Sequence, residues 1–337
     1  MRWRRGLTVL TRRHGTIQIG TDPRWAVRLS GLAEAESRML RAVSDVEDVP
    51  VERLARRHGV PGERARALRA QLERARVLAP PPRHRSGSVR EPVPARLADE
   101  LRVQGLLAED ADGTRLVAAR AHRLVEVEGL GRTGAALAAA LAASGVGTLV
   151  LGDPSPVRPW DVGAAGLREE DLGAPREQAV ARAVTGLAAG ARAVAGAPPR
   201  TPDLVVRVFS WAVDPERAWA EVPLLPVVLG EAGAVVGPLA LPGTGPCLRC
   251  VELHRAEDDR DWPLVHAQLC ALARSSPAPE PAALAHLVAG VAASQVLAHL
   301  DGHEPVTAAA ALEVSLPQGT TERRERPPHE ACDHSRR

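Results

Sequence analysis

An α/β fold is predicted: a parallel sheet with helices on both faces, preceded by a small α+β domain over residues 1–79. Three observations predict it. Strand-like and helix-like segments alternate from Leu124 to Leu229, a glycine-rich turn joins the first of those strands to its helix, and the first 79 residues carry a separate pattern of two short strands and three helices.

The chain has 337 residues, enough for two domains. Apolar residues make up 45% and charged residues 25%, the balance of an ordinary globular protein. Aromatics, however, are only 2% and Tyr is absent, so Ala, Val and Leu must fill the core through close helix-to-sheet packing. The sequence contains no Lys and no Asn, and all 43 basic residues are Arg, the bias of a GC-rich genome. That bias excludes a Schiff-base lysine and a P-loop lysine outright. A net charge of +2 gives no argument for nucleic acid as a partner. Four cysteines are too few for a disulfide framework. No signal-like apolar segment follows Met1–Arg5, and no uninterrupted apolar stretch is long enough to cross a bilayer. A cytoplasmic protein without membrane contact is expected.

In residues 1–79, Thr16–Ile19 and Ala26–Leu29 alternate as strands around the turn Thr21-Asp22-Pro23, and helical patterns follow over 33–43, 51–57 and 63–77. Leu54 to Val60, followed by Leu68, Leu72 and Val77, has helix-turn-helix rhythm, so the segment is predicted to be a winged helix. Residues 80–94, rich in Pro and Arg, are predicted to be a linker. A third domain segment, 95–337, then contains a helix over 95–107, a short strand over 115–118, strands 124–128, 148–152, 204–209, 225–229, 235–241 and 309–316, and helices 133–144, 177–188, 216–220 and 281–300.

The chemistry centres on the turn after Leu124–Glu128. Gly129-Leu130-Gly131-Arg132-Thr133-Gly134 is a G-x-G-x-x-G between a strand and a helix. Gly129 permits the tight turn, Gly131 lets phosphate approach the backbone, and Gly134 lets helix pack on strand, so a Rossmann-like nucleotide site is expected; the alternative is a Rossmann shell that keeps its glycines for packing and binds nothing. Asp153 ends the next strand, where an acid bonds ribose hydroxyls or caps a turn.

The run Val125–Asp153, with Val157, Asp161, Asp171-Leu172-Gly173 and Arg176, resembles the ThiF/MoeB superfamily, relatives of ubiquitin-activating enzymes. The resemblance implies ATP (Mg²⁺)-dependent adenylation of a C-terminal carboxylate on a small ubiquitin-like protein or peptide, by a homodimer. It places Gly129, Gly131, Gly134 and Asp153 around the nucleotide, with Arg132 and Arg176 facing its phosphates. Arg176 stands where the superfamily has Lys, and Asp161 lies near its Asn. Ser155 replaces the second acid, Gly163-Ala164-Ala165 covers the Arg-Gln position, and no acid follows Val206–Trp211 until Asp214. These departures leave two rivals open: a non-catalytic scaffold presenting a precursor peptide to a partner enzyme, and an NAD-dependent oxidoreductase. No catalytic residue is assigned.

Cys247-x-x-Cys250 and Cys332-x-His334 supply four soft N/S ligands, the set of a structural Zn²⁺ clip. A redox Cys pair, or two unrelated pairs, is the alternative. The same superfamily carries such pairs in these places, and His334 would replace a cysteine of actinobacterial relatives. Cys270 lies on an apolar helical pattern and is expected in the core; His254 and His266 are expected at partly exposed helix positions. Residues 8–77 also resemble the PqqD-like fold, which implies leader-peptide binding by strand addition. DNA is the rival for that module, but Glu63 and Glu73 interrupt its row of arginines.

Overall fold

The computed structural model describes residues 1–80, 93–163, 166–188 and 190–332. The predicted linker 80–94 falls almost wholly outside them. Two compact units are present, 1–119 and 120–337, so residues 95–119 group with the first.

In the first unit, β1 (Val9–Arg12), β2 (Thr16–Ile19) and β3 (Val27–Leu29) form an antiparallel sheet in that order. Helices α1 (Glu34–Arg41), α2 (Val51–His58) and α3 (Gly62–Arg74) follow. Ile17 and Ile19 of β2, Met39 and Leu40 of α1, Leu54 of α2 and Leu68 and Leu72 of α3 share one core, which also takes Trp3. Gly59, at φ +69°, ends α2 in the left-handed conformation that glycine tolerates. Then come α4 (Ala98–Leu107) and α5 (Thr114–Arg120). The predicted strand over 115–118 is thus a helix. Asp110 Oδ1 accepts the Asp112 and Gly113 N–H groups, and Thr114 Oγ1 bonds Asp112, so local turn chemistry starts a helix where side-chain pattern alone suggested a strand.

The second unit alternates β4 (Leu124–Glu128), α6 (Arg132–Ala143), β5 (Thr148–Gly152), α7 (Arg176–Leu187), β6 (Arg192–Ala195), β7 (Leu204–Ser210), β8 (Leu224–Leu229) and β9 (Gly233–Val236). It continues through α8 (Leu248–Asp258), α9 (Trp262–Ser275), α10 (Ala282–Leu300), β10 (Ala310–Ser315) and β11 (Thr320–Glu325). The eight strands lie in the order β11-β10-β9-β8-β7-β4-β5-β6. Pairing is parallel from β6 to β8 and antiparallel from β8 to β11, so the sheet is mixed rather than wholly parallel.

Side-chain alternation divides this sheet's faces. Val125 and Val127 of β4 and Leu204 and Val206 of β7 join Leu137 and Leu141 of α6 and Val288 and Val296 of α10 in the main core. Eight of the twelve α6 residues are buried, six of them Ala, Gly or Thr, as the small-residue composition required. On the other face Val205 and Phe209 pack with Leu248 of α8. α10 is long and apolar enough to cross a bilayer by composition, with a mean hydropathy of 1.5, yet Leu284, Val288, Ala292 and Val296 are buried in the core.

Two predicted boundaries move for clear reasons. The strand expected over 235–241 stops at Val236, because Pro238 has no N–H for the ladder. The helix expected over 216–220 is a single 3₁₀ turn, Pro215–Arg217, which Asp214 caps through the Glu216 N–H.

Candidate functional site: a nucleotide crevice and a thiol clip

β4, β5, β7 and β8 end along one side of a cavity of about 1110 Å³. Its position at the carboxyl ends of parallel strands is where open α/β sheets bind ligands. Each glycine of the turn has a measurable reason. Gly129 has φ +82°, and a Cβ there would lie 2.6 Å from the Val208 carbonyl oxygen. A Cβ on Gly134 would lie 2.0 Å from the Gly129 oxygen, so only glycine lets α6 start against the turn. A Cβ on Gly131 would come within 2.1 Å of Glu280 Oε1.

That last contact is the unexpected one. Glu280 Oε2 accepts the Thr133 N–H at 2.7 Å, in the first turn of α6, where a phosphate oxygen was expected. Burial raises the Glu280 carboxyl pKa against the pull of Thr133 and Arg176. The residue sits on the segment Ser276–Pro281, whose Ser276 carbonyl accepts the Trp211 Nε1–H at 2.6 Å. Trp211 follows β7 at φ +68°, a left-handed conformation rare for so bulky a side chain.

Asp153 is buried and structural as well as site-facing. Its Oδ2 accepts the Leu130 N–H at 2.8 Å and its Oδ1 the Ser155 N–H at 3.0 Å, tying the end of β5 to the glycine turn. Arg176 opens α7 and forks onto Asp161 with two bonds of 2.9 Å, while its third reaches Asp153 at 3.3 Å. Burial lowers the Arg176 pKa, but Asp161 and Asp153 more than offset it and the net shift is upward. Arg132 lines the cavity too; its Nε is buried without a hydrogen-bond partner, and its other nitrogens make only 3.4 Å contacts to the Glu280 and Val162 carbonyls. An orphaned cationic donor beside a helix N-terminus suits a phosphate. Ala164 and Ala165, at the expected Arg-Gln position, lie outside the described residues.

Sequence reasoning named Asp153, Asp161 and Asp214 but missed Glu126, Glu128 and Glu280, which line the same cavity. Strand alternation turns Glu126 and Glu128 away from the core cluster and into the cavity. Burial and the neighbouring Glu128 raise the Glu126 pKa. Glu128 itself is held below its usual value, since Arg217 and Arg207 outweigh its burial. Asp214 lines the same cavity, and neither Glu126 nor Asp214 forms an ion pair among the described residues. The alternating Leu-Val-Glu-Val-Glu of β4 was the available signal.

Cys247 and Cys250, at the start of α8, meet Cys332 from the far end of the chain. Cys247 Sγ lies 3.6 Å from both Cys250 Sγ and Cys332 Sγ, too far for disulfides. Thiolates about 2.3 Å from a tetrahedral Zn²⁺ stand about 3.8 Å apart, so this spacing fits a zinc site. Burial pushes the Cys247 thiol up to about 12, whereas at Cys250 hydrogen bonds outweigh burial and hold the thiol below its usual value. His334 lies outside the described residues. The nearby His329 is committed elsewhere: Nε2 contacts Glu257 at 2.9 Å, and Nδ1 accepts the Ala331 N–H at 3.1 Å. Contrary to the expectation from its apolar pattern, Cys270 is not in the core; it is half-buried on α9, lines the cavity and approaches the Val213 oxygen at 3.7 Å. His266 bonds the Val213 oxygen at 2.9 Å, and His254 packs edge-on against His329.

No family model and no curated protein sequence matches the chain. Solved structures do. E. coli MccB with AMPCPP and MccA aligns with a TM-score of 0.73 and 14% identity, over 99% of this chain and 98% of that one. The microcin C7 biosynthetic enzyme MccB in complex with N-formylated MccA aligns at 0.71 and 15%, over 99% of each chain. PaaA aligns at 0.70 and 17%, over 96% of this chain and 99% of that one. Over nearly its whole length, this chain has the fold of E. coli MccB.

Proposed function

We propose that the protein adenylates the C-terminal carboxylate of a small peptide, using MgATP. The observation that carries the proposal is the glycine turn: at Gly131 the backbone lies open to an anion, and an anion's oxygen already occupies that place. The MccB structures with ATP and with MccA support the ligand classes. A peptide carboxylate oxygen attacks the α-phosphorus, the bond from that phosphorus to the β-bridging oxygen breaks, and pyrophosphate leaves; no proton need move. Backbone amides at the start of α6, with Arg132, stabilise charge on the phosphates, and Arg176, clamped on Asp161, holds Asp153 at the end of β5 where it fixes the glycine turn and faces the ribose. Glu126 and Asp214 are the acids available to hold Mg²⁺, which would supply charge neutralisation on the triphosphate.

Exchange of labelled pyrophosphate into ATP tests this. Peptides with free C-terminal carboxylates should stimulate exchange, and the same peptides amidated should not. MgATP binding with no exchange from any peptide of a C-terminally varied library would sink it.

We also assign Cys247, Cys250 and Cys332, with His334 as the fourth ligand, to a structural Zn²⁺ that clips the C-terminus to α8. Elemental analysis of the purified protein should find about one zinc ion per chain. Cys332→Ser should lose most of it and lower the melting temperature; a protein purified with full zinc after that change would refute the clip.

A further inference from the structure

Resting on the nucleotide reading, a regulatory property of the same crevice follows from its geometry. We propose that Glu280, on the strap Ser276–Pro281, is an internal gate that occupies the phosphate position until a nucleotide phosphate displaces it.

Both carboxylate oxygens stand where phosphate oxygens would. One accepts the Thr133 N–H at 2.7 Å, and the other lies against the bare Cα of Gly131. Two anions cannot share that place, so nucleotide entry requires Glu280 to leave. An ordinary helix would meet this need with its own N-cap side chain, Ser, Thr, Asp or Asn. Here the N-cap is Gly131 and the carboxylate comes from 147 residues beyond Thr133.

The contact is also built to be released. Glu280 forms no ion pair among the described residues, and burial disfavours its charged form by more than the hydrogen bonds from Thr133 and the nearby Arg176 restore. Its ends are fixed, by the Ser276 N–H on the Leu272 oxygen at 2.8 Å and the Ala285 N–H on the Pro281 oxygen at 2.9 Å; between them the strap is held by Ala278 in the core, Trp211 on the Ser276 carbonyl and the 3.4 Å contact of Arg132 to the Glu280 carbonyl. Pro277, Pro279 and Pro281 stiffen it, so it would move as a piece about its ends rather than crumple. The cavity of about 1110 Å³ exceeds what a drug-sized ligand needs. A nucleoside can therefore enter with Glu280 in place; only the phosphate subsite is shut.

Calorimetry with MgATP and with adenosine tests the gate in the full chain. Glu280→Ala should tighten MgATP binding roughly tenfold, the scale of a helix-terminus charge interaction in a partly buried site. Adenosine affinity should stay as in the wild type. Glu280→Gln, which keeps an acceptor for Thr133 but no charge, should give a smaller gain and serves if the alanine variant does not fold. If the wild type binds MgATP and the folded variants bind it no better, the gate is overturned and the nucleotide reading stands. An equal gain for adenosine would also overturn it, as general loosening. If neither wild type nor variants bind MgATP, the nucleotide reading itself falls and the gate with it.

Discussion

Arg120→Met is expected to lower the unfolding free energy by about 3–5 kcal/mol, the cost of leaving one member of a buried ion pair without its partner. Arg120 and Asp301 have side chains only 2% and 1% exposed. The guanidinium forks onto the carboxylate at 3.0 and 2.6 Å and sends a third bond, at 2.9 Å, to the Ser144 carbonyl. Ser144 is the C-cap of α6 and Asp301 the C-cap of α10. Two helix ends, each negative from its dipole, therefore converge on the Arg120 guanidinium, and the Asp301 carboxylate adds to that charge. Remove the guanidinium and three sources of negative potential face one another in a dry place. Urea titration should show a lower midpoint with an unchanged slope. Arg120→Met combined with Asp301→Leu should recover much of the loss, because the uncompensated charge goes too. A loss below about 1 kcal/mol in the single variant, the range of an exposed pair, would contradict this account.

Such a pair marks the boundary of what the sequence made legible. Strand 124–128, the glycine turn and strand 148–152 were readable because their causes are local: alternation, and the steric demands of G-x-G-x-x-G. Arg120 and Asp301 stand 181 positions apart, and nothing near either residue announces the other. Glu280 is similar. A glutamate between two prolines ahead of a helix reads as a capping residue for that helix; its carboxylate instead caps a different one. β11, Thr-Thr-Glu-Arg-Arg-Glu, is exposed at every position, so it carries no apolar alternation, and its strand state depends on pairing with β10. The antiparallel edge formed by β9, β10 and β11 was illegible for the same reason, since strand direction is a property of the partner. The thiol clip lay between these cases. Its residue types named the chemistry, while only the fold could bring Cys332 to 3.6 Å from Cys247.

The second large effect is expected at Arg176. Arg176→Met should reduce peptide-dependent pyrophosphate exchange roughly a hundredfold, the scale of displacing a substrate-positioning turn by about an ångström, because Asp153, which ties down the glycine turn through Leu130, loses its cation. It should also cost about 3 kcal/mol of stability, because Asp161, 1% exposed, loses a bidentate partner and among the described residues keeps only the Arg158 N–H at 2.8 Å. Two effects follow from one residue because its guanidinium makes two of its bonds to Asp161 and a third to Asp153, which holds the glycine turn through Leu130. The single charge-conserving change separates them. Arg176→Lys offers a point charge in place of a planar fork, so Asp161 loses one of its two bonds while the cation beside the crevice remains. Combining it with Asp161→Asn removes the second carboxylate, giving a neutral Asp153–Lys pair instead of two acids sharing one base. That combination should recover most of the exchange lost in Arg176→Lys alone. Were exchange in Arg176→Met to stay within roughly threefold of wild type, Arg176 would be a structural clamp for Asp161 with no part in holding the nucleotide.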